Sequence, residues 1–293
     1  MQLLRSLIFV PGNRPNMLER ARSFSADIIM LDLEDSVPPS EKLAARDLAH
    51  DWVSTLANEG QKVVVRVNSL DTGLTRDELT SVVGPGLSGI SLGKVESAWD
   101  IREAERILAP LEARAGLEPG SVGIIPWIEN AQAVVRVTQI ASSSPRIMAL
   151  AFGAEDYTND LGVQRTDLGE EVYYPRAAVA VAARAAKVAS LDSPFVAFRD
   201  ADGLKKDAGR ARQLGYTGKF AIHPSQLDII NETFSPLPED VEYAHQVVEA
   251  WNQAEAAGRG SLDLNGRMVD VPVFKRAQNL LALAEAISQQ SRA

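Results

Sequence analysis

Short, continuous apolar runs recur along the chain and are separated by longer stretches with helical spacing. The runs do not alternate with polar residues, which is typical of parallel strands buried on both faces. They predict eight strands, at residues 6–10, 27–33, 62–67, 89–93, 122–128, 147–152, 194–198 and 218–222. Because strands and helices alternate over roughly 220 residues, the pattern predicts an α/β fold, a (β/α)8 TIM barrel, with a doubly wound open sheet as the alternative.

Polar side chains follow the carboxyl end of every predicted strand. The first strand leads into PGNR, the second into EDS, the fifth into EN and the sixth into GAED. A TIM barrel gathers such residues at one rim, where its active site lies, whereas an open sheet concentrates them at one switch point. The distribution therefore favours the barrel.

The chain beyond residue 224 has a different pattern. A helical stretch closes on glycines, Asn265-Gly266 predicts a tight turn, and the segment MVDVPV leads into a terminal helix. The eight predicted strands are complete before this region. We therefore predict a barrel domain over residues 1–224 and a C-terminal helical extension over residues 225–293.

Composition narrows the class of protein. Of the 293 residues, 45% are hydrophobic and 24% are charged, which is typical of a globular protein. No apolar run approaches the ~20 residues that span a bilayer, and the run near the N-terminus is too short for a signal peptide. The absence of cysteine excludes disulfides and thiolate metal sites. The formal charge of −9 argues against a nucleic-acid partner. From the lack of cysteine and of a long apolar run, we expect a cytoplasmic protein with no membrane partner.

Two predicted strands run through apolar residues and then reach an acid. Glu129 follows VGIIPWI, and Glu155 and Asp156 follow the next strand. A buried carboxylate is costly unless it is compensated, and two carboxylates with water and substrate oxygens commonly surround Mg²⁺. The alternative is that each acid caps the start of a helix. Strand alternation would allow only one of Glu155 and Asp156 to point inward.

Several basic residues also have two interpretations. Arg66 lies inside the apolar strand VVVRV, where it either pairs with a structural acid, such as Glu34 or Asp35, or binds an anionic ligand. Lys94 ends the fourth strand, and a single lysine there is weak evidence for a Schiff base. A further group near the first predicted helix either holds a phosphate-bearing ligand or forms a solvated face: Arg14, Arg20 and Arg22.

Eight collinear segments carry a family resemblance: RSLIFVPGNRP, DIIMLDLEDSV, VVVRVN, GKVES, IPWIEN, LAFGAEDYTNDLG, GYTGKFAIHPSQL and GRMVDVPVFKRAQ. Together they resemble the citrate lyase beta-subunit and malyl-CoA lyase family, part of the HpcH/HpaI aldolase superfamily, over nearly the whole chain. The resemblance implies a (β/α)8 barrel and a lyase that uses Mg²⁺, with Mn²⁺ as the alternative ion. It implies cleavage or formation of a C–C bond in a 3-hydroxyacyl-CoA, such as malyl-CoA or citramalyl-CoA, with acetyl-CoA and a 2-keto acid as the other partners.

The resemblance also implies roles for individual residues. Glu129 and Asp156 match the metal ligands, and Arg66 matches the arginine that holds the substrate carboxylate beside Glu129. Positions that line the coenzyme A site are matched by Phe9, Asn16, Arg20, Ile222 and His223. Asp270 matches the catalytic acid of a C-terminal lid that covers the active site of a neighbouring subunit. A homo-oligomer, either a trimer or a hexamer, is therefore implied.

The chain departs from the family pattern at a few positions. Gly93-Lys94 stands where members often have Pro-Lys, and Glu129-Asn130 where they often have Glu-Thr. The histidine expected after the second strand of HpcH/HpaI pyruvate aldolases is absent, which argues against an aldolase that uses free aldehydes. Two other functions stay open: a lyase subunit that acts on citryl-acyl-carrier protein, and a non-catalytic barrel that binds coenzyme A or a keto acid. The residues do not identify the thioester.

Overall fold

Eight parallel strands form a closed barrel in which each strand is hydrogen-bonded to the next along the chain. The first strand also pairs with the eighth, with Leu7 opposite Phe220. The structure is a computed structural model, and it describes residues 3–256, 258 and 260–290. The strands are β1 (Ser6–Pro11), β2 (Ile28–Asp32), β3 (Val63–Val67), β4 (Leu87–Leu92), β5 (Gly123–Ile128), β6 (Ala149–Phe152), β7 (Ala189–Asp192) and β8 (Gly218–Ala221). The predicted TIM barrel is confirmed, and the open sheet is excluded.

A helix follows every strand of the barrel. These helices are α1 (Pro15–Ala21), α2 (Lys42–Asn58), α3 (Thr75–Val82), α4 (Ala98–Ala115), α5 (Ala131–Val135), α6 (Val137–Ala141), α7 (Ala154–Leu161), α8 (Glu170–Ala186), α9 (Ala201–Leu214) and α10 (Leu227–Thr233). Local sequence sets their ends. In α4, the Ser97 hydroxyl accepts a hydrogen bond from the Trp99 N–H, and Asp100 accepts one from the Ser97 N–H. Gly116 ends that helix in the left-handed conformation.

Apolar side chains at alternate strand positions fill the barrel interior. Met30 and Val64 are fully buried there. Towards the carboxyl ends of the strands, the Trp127 ring centroid lies 4.5 Å from that of Phe220 and 5.9 Å from that of Phe9. Offset aromatic contacts of this kind pack a core tightly. Phe9 and Trp127 also line a cavity at this end, so the core and the candidate site share side chains.

The seventh strand lies earlier than the sequence prediction placed it. Strand β7 is Ala189–Asp192, whereas residues 194–198 form a loop in which Val196 is 60% exposed. The prediction was wrong because the real strand has four residues and ends in a buried charge, so it lacks the apolar run that marks the others.

The buried charge of Asp192 belongs to a network of four ionised residues between β7, β8, α8 and α9. Asp192 accepts hydrogen bonds from Arg176 Nε at 2.7 Å and Nη2 at 2.6 Å, and from Lys219 Nζ. Asp207 accepts bonds from Lys219 Nζ at 2.6 Å and from Arg176 Nη2 at 2.9 Å. Two cations therefore balance two anions, and Lys219 has no exposed surface.

The barrel unit spans residues 4–233, which includes α10 because this helix packs against β1 and α9. The sequence interpretation divided the chain at residue 224, before this last barrel helix. No helix in the described part of the chain is long and apolar enough to cross a membrane.

The described residues from 234 onward, together with Leu3, form a second compact unit with its own core. Its elements are α11 (Pro238–Ala256), β9 (Leu262–Leu264), β10 (Arg267–Val269) and α12 (Val271–Gln290). Strands β9 and β10 form an antiparallel hairpin, and both turn residues, Asn265 and Gly266, have positive φ, as the sequence predicted. Trp251 and Phe274 stack with ring centroids 5.3 Å apart in its core.

Replacing Lys219 with Met should destabilise the barrel, because Asp192 and Asp207 would lose one of their two shared cations and Arg176 alone would face both carboxylates. Removing one partner of a buried ion pair typically lowers the free energy of unfolding by about 3–5 kcal/mol. Urea unfolding followed by circular dichroism measures the change. The matched control is Lys206→Met on the exposed face of α9, which should change it by less than about 0.5 kcal/mol. If the two variants unfold alike, the network does not stabilise the fold.

Candidate active site

Glu129 and Asp156 come together above the barrel. Glu129 directly follows β5, and Asp156 is the third residue of α7, which follows β6. Both line a cavity of about 450 Å³, which Phe9, Trp127 and Arg66 also line. Both also line an adjoining cavity of about 500 Å³ on the side of β4 and α4. The structure therefore places the two acids predicted as metal ligands between two cavities.

The argument from strand alternation for Glu155 and Asp156 was wrong, because both residues lie in the first turn of α7. Both line the 450 Å³ cavity, but Asp156 also lines the second cavity beside Glu129. The Glu155 side chain is 60% exposed, and its Oε1 lies 3.3 Å from Arg165 Nε. Helical geometry, rather than strand alternation, thus directs Asp156 towards Glu129.

Glu129 and Asp156 make no side-chain capping bond. The residue that caps α5 is Asn130, whose Oδ1 accepts a hydrogen bond from the Ala133 N–H at 2.7 Å. Helix α7 begins after Gly153 without a side-chain cap. The capping alternative therefore does not explain these two carboxylates.

Electrostatics sets this pair of acids apart. Burial raises the pKa of Glu129 to about 8, and the negative charge of Asp156 adds to the shift, whereas the Lys94 N–H, 2.6 Å from Glu129 Oε1, opposes it. Asp156 is exposed to the cavities, yet partial desolvation raises its pKa, and the charge of Asp35 adds to that effect. Raised pKa values mean that the nearby cations do not fully compensate the ionised pair. A bound cation would stabilise both carboxylates.

The donor atoms suit a hard divalent ion. In the described part of the chain, no group of three or more His, Cys, Asp or Glu residues is arranged to hold a metal ion. A structural zinc site, which takes four protein ligands, is thus not supported by these residues. Magnesium is commonly held by one or two carboxylates, with water and substrate oxygens in its other positions. Glu129 and Asp156 fit that arrangement.

Two glycines make room for the carboxylates. A Cβ atom on Gly153 would lie 2.6 Å from Glu129 Oε2, closer than any side chain allows. A Cβ on Gly93 would lie 3.0 Å from Glu34 Oε1 and 3.3 Å from Glu129 Oε1. Glu34 is therefore a close neighbour of Glu129. Burial raises the pKa of Glu34 to about 7, against the opposing charge of Arg66.

Arg66 is held by an acid that the sequence analysis did not consider. Its Nε and Nη2 donate to the two carboxylate oxygens of Asp32, each at 2.7 Å. The expected partners are secondary, since Nη1 lies 3.1 Å from Glu34 Oε2 and 3.3 Å from Asp35 Oδ2. The guanidinium also lies 4.6 Å above the centre of the Phe9 ring. Arg66 is thus both paired and directed towards the cavity.

A sequence signal for Asp32 existed. Asp32 is a charge inside the apolar run DIIMLDL, as Arg66 is inside VVVRV, and the two strands are adjacent. Two opposite charges on neighbouring buried strands would be expected to pair. Asp32 has no exposed surface, and it also accepts hydrogen bonds from the backbone N–H groups of Glu34 and Ser36. Asp32 therefore holds both Arg66 and the loop after β2 that carries Glu34 and Asp35.

The structure separates the residues predicted to line the coenzyme A site. Phe9 and Ile222 line the 450 Å³ cavity. Asn16 and Arg20 are exposed on α1, where their neighbour Met17 lines that cavity. His223 is exposed, and its ring stacks on Phe198 with centroids 4.9 Å apart.

Other predicted residues have structural contacts. The Arg22 guanidinium donates to Glu19 and Glu59, so it is engaged on the surface. Asp270 lies in the unit formed by residues 234–290, where its Oδ1 accepts a hydrogen bond from the Val273 N–H at 3.1 Å. This carboxylate therefore caps the start of α12, a role that the sequence analysis did not assign to it.

Comparisons with known proteins agree with this fold. The chain matches the family described as HpcH/HpaI aldolase/citrate lyase over residues 5–224. The citrate lyase subunit beta of Leuconostoc mesenteroides subsp. cremoris is 37% identical over 285 residues, which cover 97% of this chain and 94% of the relative. The L-malyl-CoA/beta-methylmalyl-CoA lyase of Cereibacter sphaeroides (strain ATCC 17025 / ATH 2.4.3) is 34% identical over 305 residues, covering 97% of this chain and 95% of the relative.

Two solved structures are similar over nearly the whole chain. CitE from Mycobacterium tuberculosis, in complex with magnesium, acetoacetate and coenzyme A, has a TM-score of 0.77 and 28% identity, and the match covers 96% of this chain and 97% of that one. A citrate lyase from Burkholderia xenovorans LB400 has a TM-score of 0.85 at 21% identity, covering 98% of this chain and 93% of that one. The second similarity supports the fold alone.

Asp32→Asn should lower the free energy of unfolding at pH 7 by about 1.5–3 kcal/mol, because charge-assisted hydrogen bonds to Arg66 are lost. Burial alone would raise the pKa of Asp32, but the charge and hydrogen bonds of Arg66 outweigh it and hold the pKa below the ordinary 3.8. The native state therefore binds a proton less readily than the unfolded state. The stabilisation is complete above that ordinary pKa and is lost as the pH falls through the native one.

Urea unfolding of wild type and variant at several pH values measures this effect, and the difference should shrink in acid. The matched control is Asp35→Asn, since Asp35 is 58% exposed beside the same guanidinium and should contribute less than about 1 kcal/mol. Equal losses for the two variants would contradict the central role of Asp32.

Proposed function

Because this chain belongs to the HpcH/HpaI aldolase/citrate lyase family, we propose that it is a Mg²⁺-dependent lyase that acts on a 3-hydroxyacyl-CoA. It cleaves or forms the C–C bond between an acetyl-CoA unit and a 2-keto acid, in a substrate such as malyl-CoA or citramalyl-CoA. The observation that carries the proposal is the pair Glu129 and Asp156, whose raised pKa values indicate an uncompensated acid pair in a cavity that Arg66 also lines.

Glu129 and Asp156 hold the metal ion in this proposal. When bound, Mg²⁺ supplies Lewis acidity that polarises the hydroxyl and carboxylate oxygens of the substrate. Carboxylate oxygens are the ligands that Mg²⁺ prefers, and Mn²⁺ is the alternative ion. The similarity to CitE, which was solved in complex with magnesium, acetoacetate and coenzyme A, supports Mg²⁺ as the ion and coenzyme A as part of the substrate.

Arg66 orients the carboxylate of the keto-acid portion. Asp32 accepts one hydrogen bond from Nε and one from Nη2, which leaves the second N–H of Nη2 and the two N–H groups of Nη1, the nitrogen that faces Glu34 and Asp35. One N–H of Nη1 and one of Nη2 thus form a pair that suits the substrate carboxylate, with Asp32 fixing the plane of the guanidinium. Phe9 and Ile222 offer apolar surface to the thioester arm.

Asp270 moves the proton on the acetyl carbon. Cleavage leaves the enolate of acetyl-CoA, which must gain a proton at carbon, and condensation removes the same proton. We assign this step to Asp270 of a neighbouring subunit in a homo-oligomer, either a trimer or a hexamer. Because its carboxylate caps α12, that helix fixes its orientation. A cytoplasmic location fits this metabolic role.

Two other functions compete with this one. The first is a lyase subunit that acts on citryl-acyl-carrier protein, which the match to citrate lyase subunit beta supports. The identity to that relative is 37%, close to the 34% identity to the malyl-CoA lyase. A non-catalytic binding barrel is disfavoured, because Glu129, Asp156, Arg66 and Asp270 are all present. Release of keto acid from malyl-CoA, citramalyl-CoA and citryl-acyl-carrier protein, each assayed with Mg²⁺, separates the three.

Glu129→Gln and Asp156→Asn should each lower the turnover of the active thioester at least about 100-fold, because each removes one of two carboxylate ligands. Isothermal titration calorimetry should show loss of Mg²⁺ binding in both variants. Glu103→Gln removes a carboxylate on the outer face of α4 and should leave both measurements unchanged. Wild-type turnover at limiting Mg²⁺ in either site variant would refute the metal assignment.

Asp270→Asn should lower turnover by about 10²–10⁴-fold, the usual loss when a general acid–base group is removed. Asparagine caps a helix as well as aspartate does, so α12 should stay folded and melting should change little. Asp263→Asn, in the hairpin that precedes Asp270, is the control. The Asp263 side chain accepts a hydrogen bond from the Gly266 N–H in the hairpin turn. This control variant should keep wild-type turnover.

The location of Asp270 in trans has a separate test. Mixing Asp270→Asn with Arg66→Ala protein should restore part of the activity, because some sites in mixed oligomers combine an intact Arg66 with an intact Asp270. Native mass spectrometry verifies that subunits exchange. No recovery after verified exchange would exclude action between subunits.

A further inference from the structure

The turn after β4 contains an unusual backbone conformation. Three described non-glycine residues have positive φ: Lys94 at 53°, Lys187 at 62° and Asn265 at 54°. Asn265 lies in a hairpin turn and Lys187 at the carboxyl end of α8, where this conformation is common. Lys94 lies at neither kind of position. It follows a barrel strand at the rim of the cavity, and such strain tends to be kept where it has a function.

The backbone of this turn contacts a proposed metal ligand directly. The Lys94 N–H donates to Glu129 Oε1 at 2.6 Å, across 35 residues of sequence. Glu129 is only 6% exposed, so this bond is made in a largely dry environment. The other oxygen, Oε2, lies beside Gly153, where the absence of a side chain leaves space. The turn therefore holds Oε1 of Glu129, whereas Oε2 lies against Gly153.

The Lys94 side chain is held less firmly than its backbone. Its Nζ lies 3.8 Å from Glu34 Oε1, and the side chain is 50% exposed. Gly93 brings the turn close to the acids, since a Cβ there would approach both Glu34 and Glu129. The contact that fixes Glu129 thus depends on the path of the backbone at residues 93 and 94.

We propose that Lys94 is a positioning residue, whose backbone N–H, presented by a left-handed turn, orients Glu129 for binding the divalent ion. The inference rests on the proposed function, because it takes Glu129 as a metal ligand. Hydrogen bonds to the ligands of a metal fix their orientation, and loss of such a partner typically weakens metal binding about 10–100-fold. Residue types that disfavour positive φ should therefore disturb the ion site, even when their side chains do not reach it.

The test compares variants of Lys94 that all carry a neutral side chain. Because each variant loses the ammonium charge, a difference between them does not reflect that charge. Asparagine and glycine adopt positive φ readily, whereas valine is strongly disfavoured there. Calorimetric titration of the chelator-treated full chain with Mg²⁺ should give a dissociation constant about tenfold or more higher for Lys94→Val than for Lys94→Asn. Lys94→Gly should resemble Lys94→Asn. Circular dichroism of each metal-free variant verifies the fold.

Lys187 provides a matched control, since it is also a lysine with positive φ and lies outside both cavities. Lys187→Val should lower the melting temperature relative to Lys187→Asn, yet leave the Mg²⁺ dissociation constant unchanged. Equal Mg²⁺ dissociation constants for Lys94→Val and Lys94→Asn would overturn the inference. It would also be overturned if Lys94→Gly weakened Mg²⁺ binding as much as Lys94→Val does. Failure of the wild type to bind Mg²⁺ would instead refute the metal centre, and the inference with it.

Discussion

The candidate site depends on one imbalance of charge at the carboxyl end of the barrel. Five carboxylates meet two cations there: Asp32, Glu34, Asp35, Glu129 and Asp156 face Arg66 and Lys94. Desolvation penalises every uncompensated charge, so the shortage of positive charge appears as raised pKa values at Glu34 and Glu129. A divalent cation corrects the shortage without adding a side chain. The proposed metal centre follows from this balance as much as from the identity of its ligands.

The same barrel shows what a balanced set of charges looks like. Arg176 and Lys219 face Asp192 and Asp207 between the strands and helices, and each ionised group has partners of opposite sign. Nothing in that network needs a ligand, and Lys219 has no exposed surface. Both clusters contain buried charge, and the unbalanced one lines the two cavities of the candidate site. Net charge, rather than burial, therefore separates the site from the structural network.

The limits of sequence prediction in this protein follow the same distinction. Strands with continuous apolar runs, such as residues 123–128, could be predicted because burial on both faces demands apolar side chains. Strand β7 could not, because a buried ion network replaces part of its apolar surface. Arg66 was recognisable as a charge in an apolar strand, but its main partner, Asp32, depended on the pairing of β2 with β3. The positive φ of Lys94 has no sequence signal at all, since lysine rarely adopts it.

Catalysis and substrate selection would depend on different side chains of the cavity. The proposed site residues Glu129, Asp156 and Arg66 would contact the hydroxyl and the carboxylate, which malyl, citramalyl and citryl substrates have in common. The carboxymethyl group of a citryl substrate carries a charge, which an apolar wall cannot compensate. Malyl and citramalyl substrates differ only by a methyl group, which an apolar pocket discriminates by about 1–3 kcal/mol. That discrimination must come from other side chains of the cavity, including Met17, Val196 and Ile222. In the proposed reaction, selection between malyl and citramalyl substrates would therefore come from the apolar wall of the cavity, whereas the chemistry would come from its charges.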